Sequence, residues 1–345
     1  MRAKSEAVKA RCLAVLMLAA PQLARAAEFD ATQLGLVWVV PFAGLLLSIA
    51  LLPLFAPQFW HRFYGSVAVG WAALTLLPLA IAYGAGTALE IALHSLLLEY
   101  LPFIIFIATL YVVAGGIFVR GNLHGSPALN TSMLALGGGL ASLMGTTGAA
   151  MLLIRPVIRA NDNRRYRAHT IIFFIFIVAN AGGALTPLGD PPLFLGFLKG
   201  VSFFWTLQHM LLPTLLIVGV LLAMFFVVDT FYYRRDVALG LQRDPTPDDP
   251  RIGVDGKRNF VLLALVVAAV LMSGIWKSGI EVDLLGNTLT LEGLLRDAIF
   301  IVLAAVSLWL TPRSVRQANE FTWHPIEEVA KLFFGIFLTM APVLL

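Results

Sequence analysis

The apolar stretch from Thr170 to Leu198 is interrupted by Asn180-Ala181-Gly182-Gly183-Ala184-Leu185-Thr186-Pro187-Leu188-Gly189-Asp190-Pro191-Pro192, and no other feature restricts the fold as much. Its prolines remove backbone donors and its glycines remove helix preference. At bilayer depth such a break survives only where protein or a water-filled cavity satisfies the freed amides and carbonyls. A carboxylate placed there, Asp190, costs at least about 2.5–3.5 kcal/mol on insertion scales, so residues of this kind usually mark an ion or proton pathway. The break therefore reads as a binding site in a membrane transporter.

The rest of the chain supplies the membrane. Hydrophobic residues make up 59% of it and charged ones 13%, against roughly 45–50% and 25% in soluble domains. The mean hydropathy is +0.86. Net charge is +4, but the basic residues lie in short loops between apolar spans, where they set orientation, so nucleic-acid binding is rejected. The single cysteine, Cys12, rules out an internal disulfide framework or a cysteine metal site. No zinc spacing, phosphate-binding glycine loop or nucleophile elbow occurs, so the chain is not expected to be an enzyme and no cofactor is expected.

Residues 1–26 carry a basic start, an apolar run from Cys12 to Ala20 and the small-x-small Ala24-Arg25-Ala26, which reads as a secretory signal peptide, with an uncleaved first helix as the alternative. Apolar stretches follow at Leu34–Phe55, Gly65–Gly84, Tyr100–Val119, 127–154, Thr170–Leu198, Met210–Val228, Phe260–Trp276, Leu294–Leu310 and Val329–Leu345. Glu90, His94 and Glu99 read as a solvated face of an outer amphipathic stretch, and Val201 to Gln208 as a second short amphipathic stretch. Residues 229–259, with Pro245, Pro247 and Pro250 among charges, read as a cytoplasmic linker.

Charge decides how residues 127–154 cross. If they span once, Arg155, Arg159, Arg164, Arg165 and Arg167 fall outside; if they form a re-entrant hairpin, these and nearly all other basic loops are cytoplasmic. The hairpin is preferred to a long tilted helix. Gly145-Thr146-Thr147-Gly148 supplies its turn, with threonine capping the second arm. His124 at its mouth reads as a loop cap or a gate, and His169 as an interface residue.

The first unit, residues 27–228, thus holds three scaffold helices, the hairpin, the broken helix at 170–198 and a closing helix. Residues 260–345 start three helices of opposite orientation, as an inverted repeat requires. Ala114-Gly115-Gly116-Ile117-Phe118 faintly echoes Phe333-Phe334-Gly335-Ile336-Phe337. The fold expected is an all-α integral membrane protein, an inverted-repeat secondary transporter whose second repeat is incomplete. A truncated, non-transporting fragment is the alternative from another class.

Two interrupted elements should point their ends at one depth near the midplane, where half-helix N-termini suit an anion and unwound carbonyls a cation. Thr146, Thr147, Asn180, Thr186 and Asp190 can offer side-chain oxygens to sodium. Gly145, Gly148, Gly182, Gly183, Ala184, Leu185 and Gly189 supply backbone at the breaks, with the carbonyls of Ala184 and Leu185 as further ligands. Asp190 can exchange sodium for a proton, since desolvation favours a neutral acid and a bound cation its carboxylate. The competing role for Asp190 is an N-cap for the helix starting at Pro191-Pro192. Asn180 is as well suited to bonding a neighbouring helix.

Leu185-Thr186-Pro187-Leu188-Gly189-Asp190-Pro191-Pro192 after Asn180-Ala181-Gly182-Gly183 resembles the broken-helix signature of the ion transporter superfamily, nearest its sodium/proton antiporter and citrate transporter branch. The resemblance runs over roughly residues 120–206, through Gly121–Thr131, Gly145–Arg155 and Phe203-Phe204-Trp205-Thr206. It implies five helices plus a hairpin per repeat, a homodimer in the lipid bilayer of a bacterial-type inner membrane, and elevator-like motion. It puts sodium on Thr146, Thr147, Thr186 and Asp190. The tip lacks the Ser-Asn-Thr of the superfamily's dicarboxylate carriers, which separates it from their carboxylate recognition. Sodium/proton antiport, with Na+ and/or H+ as the moving ions, is the leading expectation; cation-coupled transport of citrate or another organic acid is the alternative.

Overall fold

The computed structural model describes residues 35–121, 123–240 and 253–344. The signal-peptide segment 1–26 and residues 241–252 of the linker lie outside these. Among the described residues, seven helices are long and apolar enough to cross a membrane. The chain is accordingly an all-α, multi-pass membrane protein, and strands among the described residues form two short pairs.

Its contacts divide it into two compact units. One takes residues up to Pro102 with Ile280–Leu289 and Trp323–Leu345, the other Phe103–Gly279 with Thr290–Thr322. Each draws chain from both sides of the linker, so neither coincides with a sequence half.

The first unit contains α1 (Val39–Phe55), α2 (Pro57–Tyr83), α3 (Ala85–His94), a π-helical segment Ser95–Tyr100, and α13 (His324–Leu344). Lipid gives apolar helices no reason to associate, so small residues that let backbones approach take over that task. Gly335 of α13 sits against Ala68 of α2, where a Cβ would collide with the Ala68 backbone. The Trp71 indole lies across Gly44 and donates to Ser48 Oγ at 3.1 Å. Here the sequence reading needs correction. Glu99 is not on a solvated face: it is 4% exposed and accepts from Ser95 Oγ at 3.4 Å. A continuous helical run from Ala85 to Ala114 replaces the shorter span expected at Tyr100–Val119.

The second unit holds α4 (Leu101–Ala114), β1 (Phe118–Arg120), the hairpin arms α5 (Pro127–Met144) and α6 (Thr146–Ala160), and α7 (Ala168–Ile177). After a 3-10 segment, Ala181–Leu185, come α8 (Pro191–Leu198), α9 (Trp205–Ala238), β2 (Gly253–Asp255), α10 (Arg258–Ile275), α11 (Leu291–Leu310) and α12 (Arg313–Ala318). The strands β3 (Glu281–Leu284) and β4 (Asn287–Thr290), which pair with each other, belong but for Thr290 to the first unit. The frayed end of α4 shows how polar backbone is satisfied. Asn259 donates to Gly116 O, Arg316 to Val112 O, and Asn319 to Gly115 O and Ile117 O. The glycines of 114–118 therefore lie at a helix end running into β1, whereas Gly335 is inside α13, so the echo between these segments is not structural.

Residues 127–160 enter and leave on one side. Gly145 at φ +79° reverses the chain, Ser126 caps α5 by accepting from Leu129 N, and Gly125 N donates to Ala160 O at 2.6 Å across the mouth. The second arm runs past the expected end at 154 because Arg155 pairs with Glu320 and Arg159 donates to Val119 O. The 18 residues of α5 hold the tip about 27 Å from that mouth, close to the roughly 30 Å of a hydrocarbon core.

α9 also outruns its expected end at 228, and no separate helix forms over Val201–Gln208. Its last turns are held by ions. Arg164, 3% exposed, lies 2.6 Å from Asp229 Oδ1, itself 0% exposed, and 3.4 Å from Asp236 Oδ2. His169 Nε2 stands 2.7 Å from Asp229 Oδ1, and Asn130 donates to Oδ2 at 3.0 Å. Asn130 and Asn161 bond each other reciprocally. Removing one partner of such a pair strands a buried charge. Arg164→Met is expected to lower stability by about 3–5 kcal/mol, read as a drop in melting temperature of the detergent-solubilised protein. R164M/D229N should recover much of that; a single variant that melts like wild type would contradict the assignment.

Candidate functional site

The hairpin tip and the helix break meet in the second unit. α7 stops because Asn180, Gly182, Gly183 and Pro187 cannot sustain a helix, and the chain restarts at Pro191-Pro192. The break approaches the hairpin closely enough to exclude side chains. A Cβ on Gly182 would strike the backbone of Gly138 in α5, and one on Gly183 would strike Thr146 Cγ2 and the Gly189 carbonyl.

Ser142, a residue the sequence reading did not select, is the centre of this junction. Its hydroxyl donates to Gly182 O at 2.5 Å and accepts from Leu185 N at 3.3 Å, while its carbonyl accepts from the Thr186 hydroxyl. Thr186 Oγ1 also accepts from Leu188 N at 3.2 Å. From the far side, Thr206 at the start of α9 donates to Leu185 O at 3.0 Å, and Thr146 N donates to Gly189 O at 3.1 Å. The only sequence signal for Ser142 was its place, with Gly138, on a small-x-x-x-small face of α5.

The expected ligands separate accordingly. Thr146, Thr147, Gly145, Gly148 and Gly189 line one cleft of about 30 Å³, with Phe106 and Tyr111 among its other walls. This holds about one or two waters. Asp190 stands between two lining residues, Gly189 and Pro191, without lining the cleft itself. Thr186 lies behind, its hydroxyl committed to Ser142 and Leu188, and the Leu185 carbonyl is committed to Thr206. Asn180 is outside the group: it is exposed and donates to Ile175 O in its own helix at 2.8 Å.

Asp190 occupies the N-cap position of α8 but makes no side-chain cap. The reason is chemical. Pro191 and Pro192 have no amide hydrogens, and the next amides, of Leu193 and Phe194, donate to the carbonyl of Asp190. Its carboxylate therefore has no hydrogen bond or ion pair among the described residues, and the hydroxyls of Thr146 and Thr147 have none either. Three side chains with hard oxygens are left at or beside the cleft. The first turn of α6 starts there too, with Gly145 as its cap residue, so a helix N-terminus faces the same place. Behind the cleft, Phe106 stacks on Phe194 at 4.0 Å, and the guanidinium of Arg296 lies over Phe194 at 5.7 Å. Arg296, paired with Asp297 at 2.8 Å, is a charge inside an apolar helix that the sequence reading passed over. Among the described residues, no group of three or more His, Cys, Asp or Glu side chains could hold a metal ion.

Ser142→Ala should remove the bonds to Gly182 O and Leu185 N, leaving buried groups unpaired at about 1–3 kcal/mol each. Asn180→Ala, at an exposed position, should stay within about 0.5 kcal/mol of wild type. Thermal unfolding of both in detergent checks the contrast, and equal losses would contradict the junction described.

A family model described as "Putative citrate transport" matches residues 31–345, and the chain belongs to that family. It is a membrane transporter and not an enzyme. No curated protein and no solved structure matches it.

Proposed function

From that membership we propose that the chain couples movement of citrate, or a citrate-like organic acid, to a cation, with the tip-and-break junction as the cation's part of the site. The single observation that carries the cation role is the Asp190 carboxylate, left unpartnered by the two prolines after it. Thr146 and Thr147 add hydroxyl oxygens at the adjoining cleft. Sodium takes hard oxygen ligands, and a proton needs only the carboxylate. The N-terminal turn of α6 supports an anionic group nearby, because free amides and the helix dipole favour one there. Cation binding would then lower the cost of bringing a carboxylate to Asp190.

A second reading, sodium/proton antiport, is supported by the size of the cleft. Its volume of about 30 Å³ suits an ion or a water, while pockets for organic ligands run to about 300–1,000 Å³. No basic side chain lines it.

The two readings separate in proteoliposomes. Under citrate coupling, labelled citrate accumulates only with an inward sodium or proton gradient. D190N should reduce that uptake to background, T147A should raise the sodium concentration needed, and N180A should transport as wild type does. Citrate-independent proton movement driven by sodium, lost in D190N, would favour antiport. Full coupled transport by D190N would dismiss the carboxylate's role in either scheme.

A further inference from the structure

A second, larger cleft opens at the mouth of the hairpin, far along the chain from the tip. The loop joining α6 to α7 and the aromatic end of α9 enclose about 700 Å³ there. Arg165, Arg167, Thr170, Ile158, Ile172 and Tyr232 are among its walls, and no acidic residue is.

Two kinds of surface meet in it. Arg165 and Arg167 are exposed, and among the described residues neither has a carboxylate partner, although Asp229 and Asp236 are close by in sequence to Tyr232. Those two acids are already committed to Arg164. Asp162, exposed in the same loop, pairs with neither, so both guanidinium groups are left without a carboxylate. α7 begins in the same place with Arg167 as an N-cap residue that offers no side-chain cap, so first-turn amides add to the positive end.

Thr170 gives an independent sign. It is 1% exposed, it lines the cleft, and its hydroxyl has no hydrogen-bond partner. Elsewhere helical threonines such as Thr109, Thr131 and Thr339 donate to the carbonyl four residues earlier. Thr170 is the third residue of α7, so its fourth predecessor, Tyr166, is outside the helix. A buried hydroxyl without a partner costs free energy unless something else accepts its hydrogen.

The other wall is apolar. Ile158 and Ile172 are 45% and 49% exposed, and they lie on the two helices that leave the loop. A soluble anion gains nothing from them, whereas an acyl chain does. We propose that this cleft binds an anionic phospholipid. Arg165 and Arg167 hold the phosphate, the Thr170 hydroxyl donates to a headgroup oxygen, and a hydrocarbon chain lies along Ile158 and Ile172. Basic pockets between membrane helices recognise anionic headgroups in this way. The site is separate from the tip-and-break junction and does not depend on the transport reading.

The test uses the full-length protein in detergent, titrated with phosphatidylglycerol or with phosphatidylcholine of the same chains, bound lipid being counted by native mass spectrometry. Wild type should prefer phosphatidylglycerol. R165Q/R167Q should weaken that binding about thirtyfold, the loss expected for two basic residues at an anionic surface, and leave phosphatidylcholine binding unchanged. T170V, which keeps both charges, should weaken it several-fold. Because both arginines are exposed and unpaired, melting temperatures without lipid should match wild type; if the double variant melts early, T170V and R165Q alone decide. Equal binding of the two lipids, or variants that bind as wild type does, would overturn the site. Displacement of the lipid by inorganic phosphate at equal concentration would assign it to a soluble anion and overturn the lipid.

Discussion

A helix broken among apolar spans exposes backbone groups that lipid cannot satisfy, and the second unit is organised around meeting that demand. The freed groups of 182–189 are taken up by four side chains or amides, three from neighbouring helices and one from the break itself: Ser142 from α5, Thr146 from α6, Thr206 from α9 and Thr186. Each bond needs close approach, which is why glycines face glycines at this junction. Gly183 and Gly189 are packed so that either side chain would displace the other's carbonyl. The site follows from what remains. Among the described side-chain oxygens at the tip and the end of the break, those without partners are the Asp190 carboxylate and the Thr146 and Thr147 hydroxyls.

The hairpin mouth answers a different demand with a different chemistry. There the buried Arg164 lies between the carboxylates of Asp229 and Asp236, and Asn130, Asn161 and His169 supply further hydrogen-bond partners. Such a cluster contributes little net stability compared with apolar packing, but it specifies which elements sit together. It fixes α9 to the hairpin and to α7. In the first unit, which has no broken helix, small residues such as Ala68 and Gly335 set the close packing.

Much of this was legible in the sequence. The break announced itself because three prolines and three glycines cannot carry one α-helix through the stretch, and the arginines after residue 154 favoured a hairpin because a single crossing would have put them on the wrong side. The bond between Gly125 and Ala160 is what that charge argument implied. The allocation of oxygens was not legible. Thr186 and Thr147 are the same residue type in similar contexts, yet one hydroxyl is consumed by a carbonyl 44 residues away and the other is left free. Asn180 looked like a ligand, but the exposed end of α7 claimed it first. Ser142 was hidden among apolar and small neighbours, and Glu99 seemed to belong to water because a turn of charges reads alike on a solvated helix and a buried one. Asp190 does sit at the N-cap position the sequence suggested, but its side chain caps nothing, for a reason already written in the next two residues.

The α9 helix is fastened at both ends, to the break through Thr206 and to the mouth through Asp229. These points are 23 residues apart, about 35 Å along a helix, with the hairpin clasped between them. A hinge inside this assembly would have to rupture one seam or the other. Tip, break and α9 are tied by these bonds into one assembly, so parting the tip from the break breaks the bond between Thr146 and Gly189.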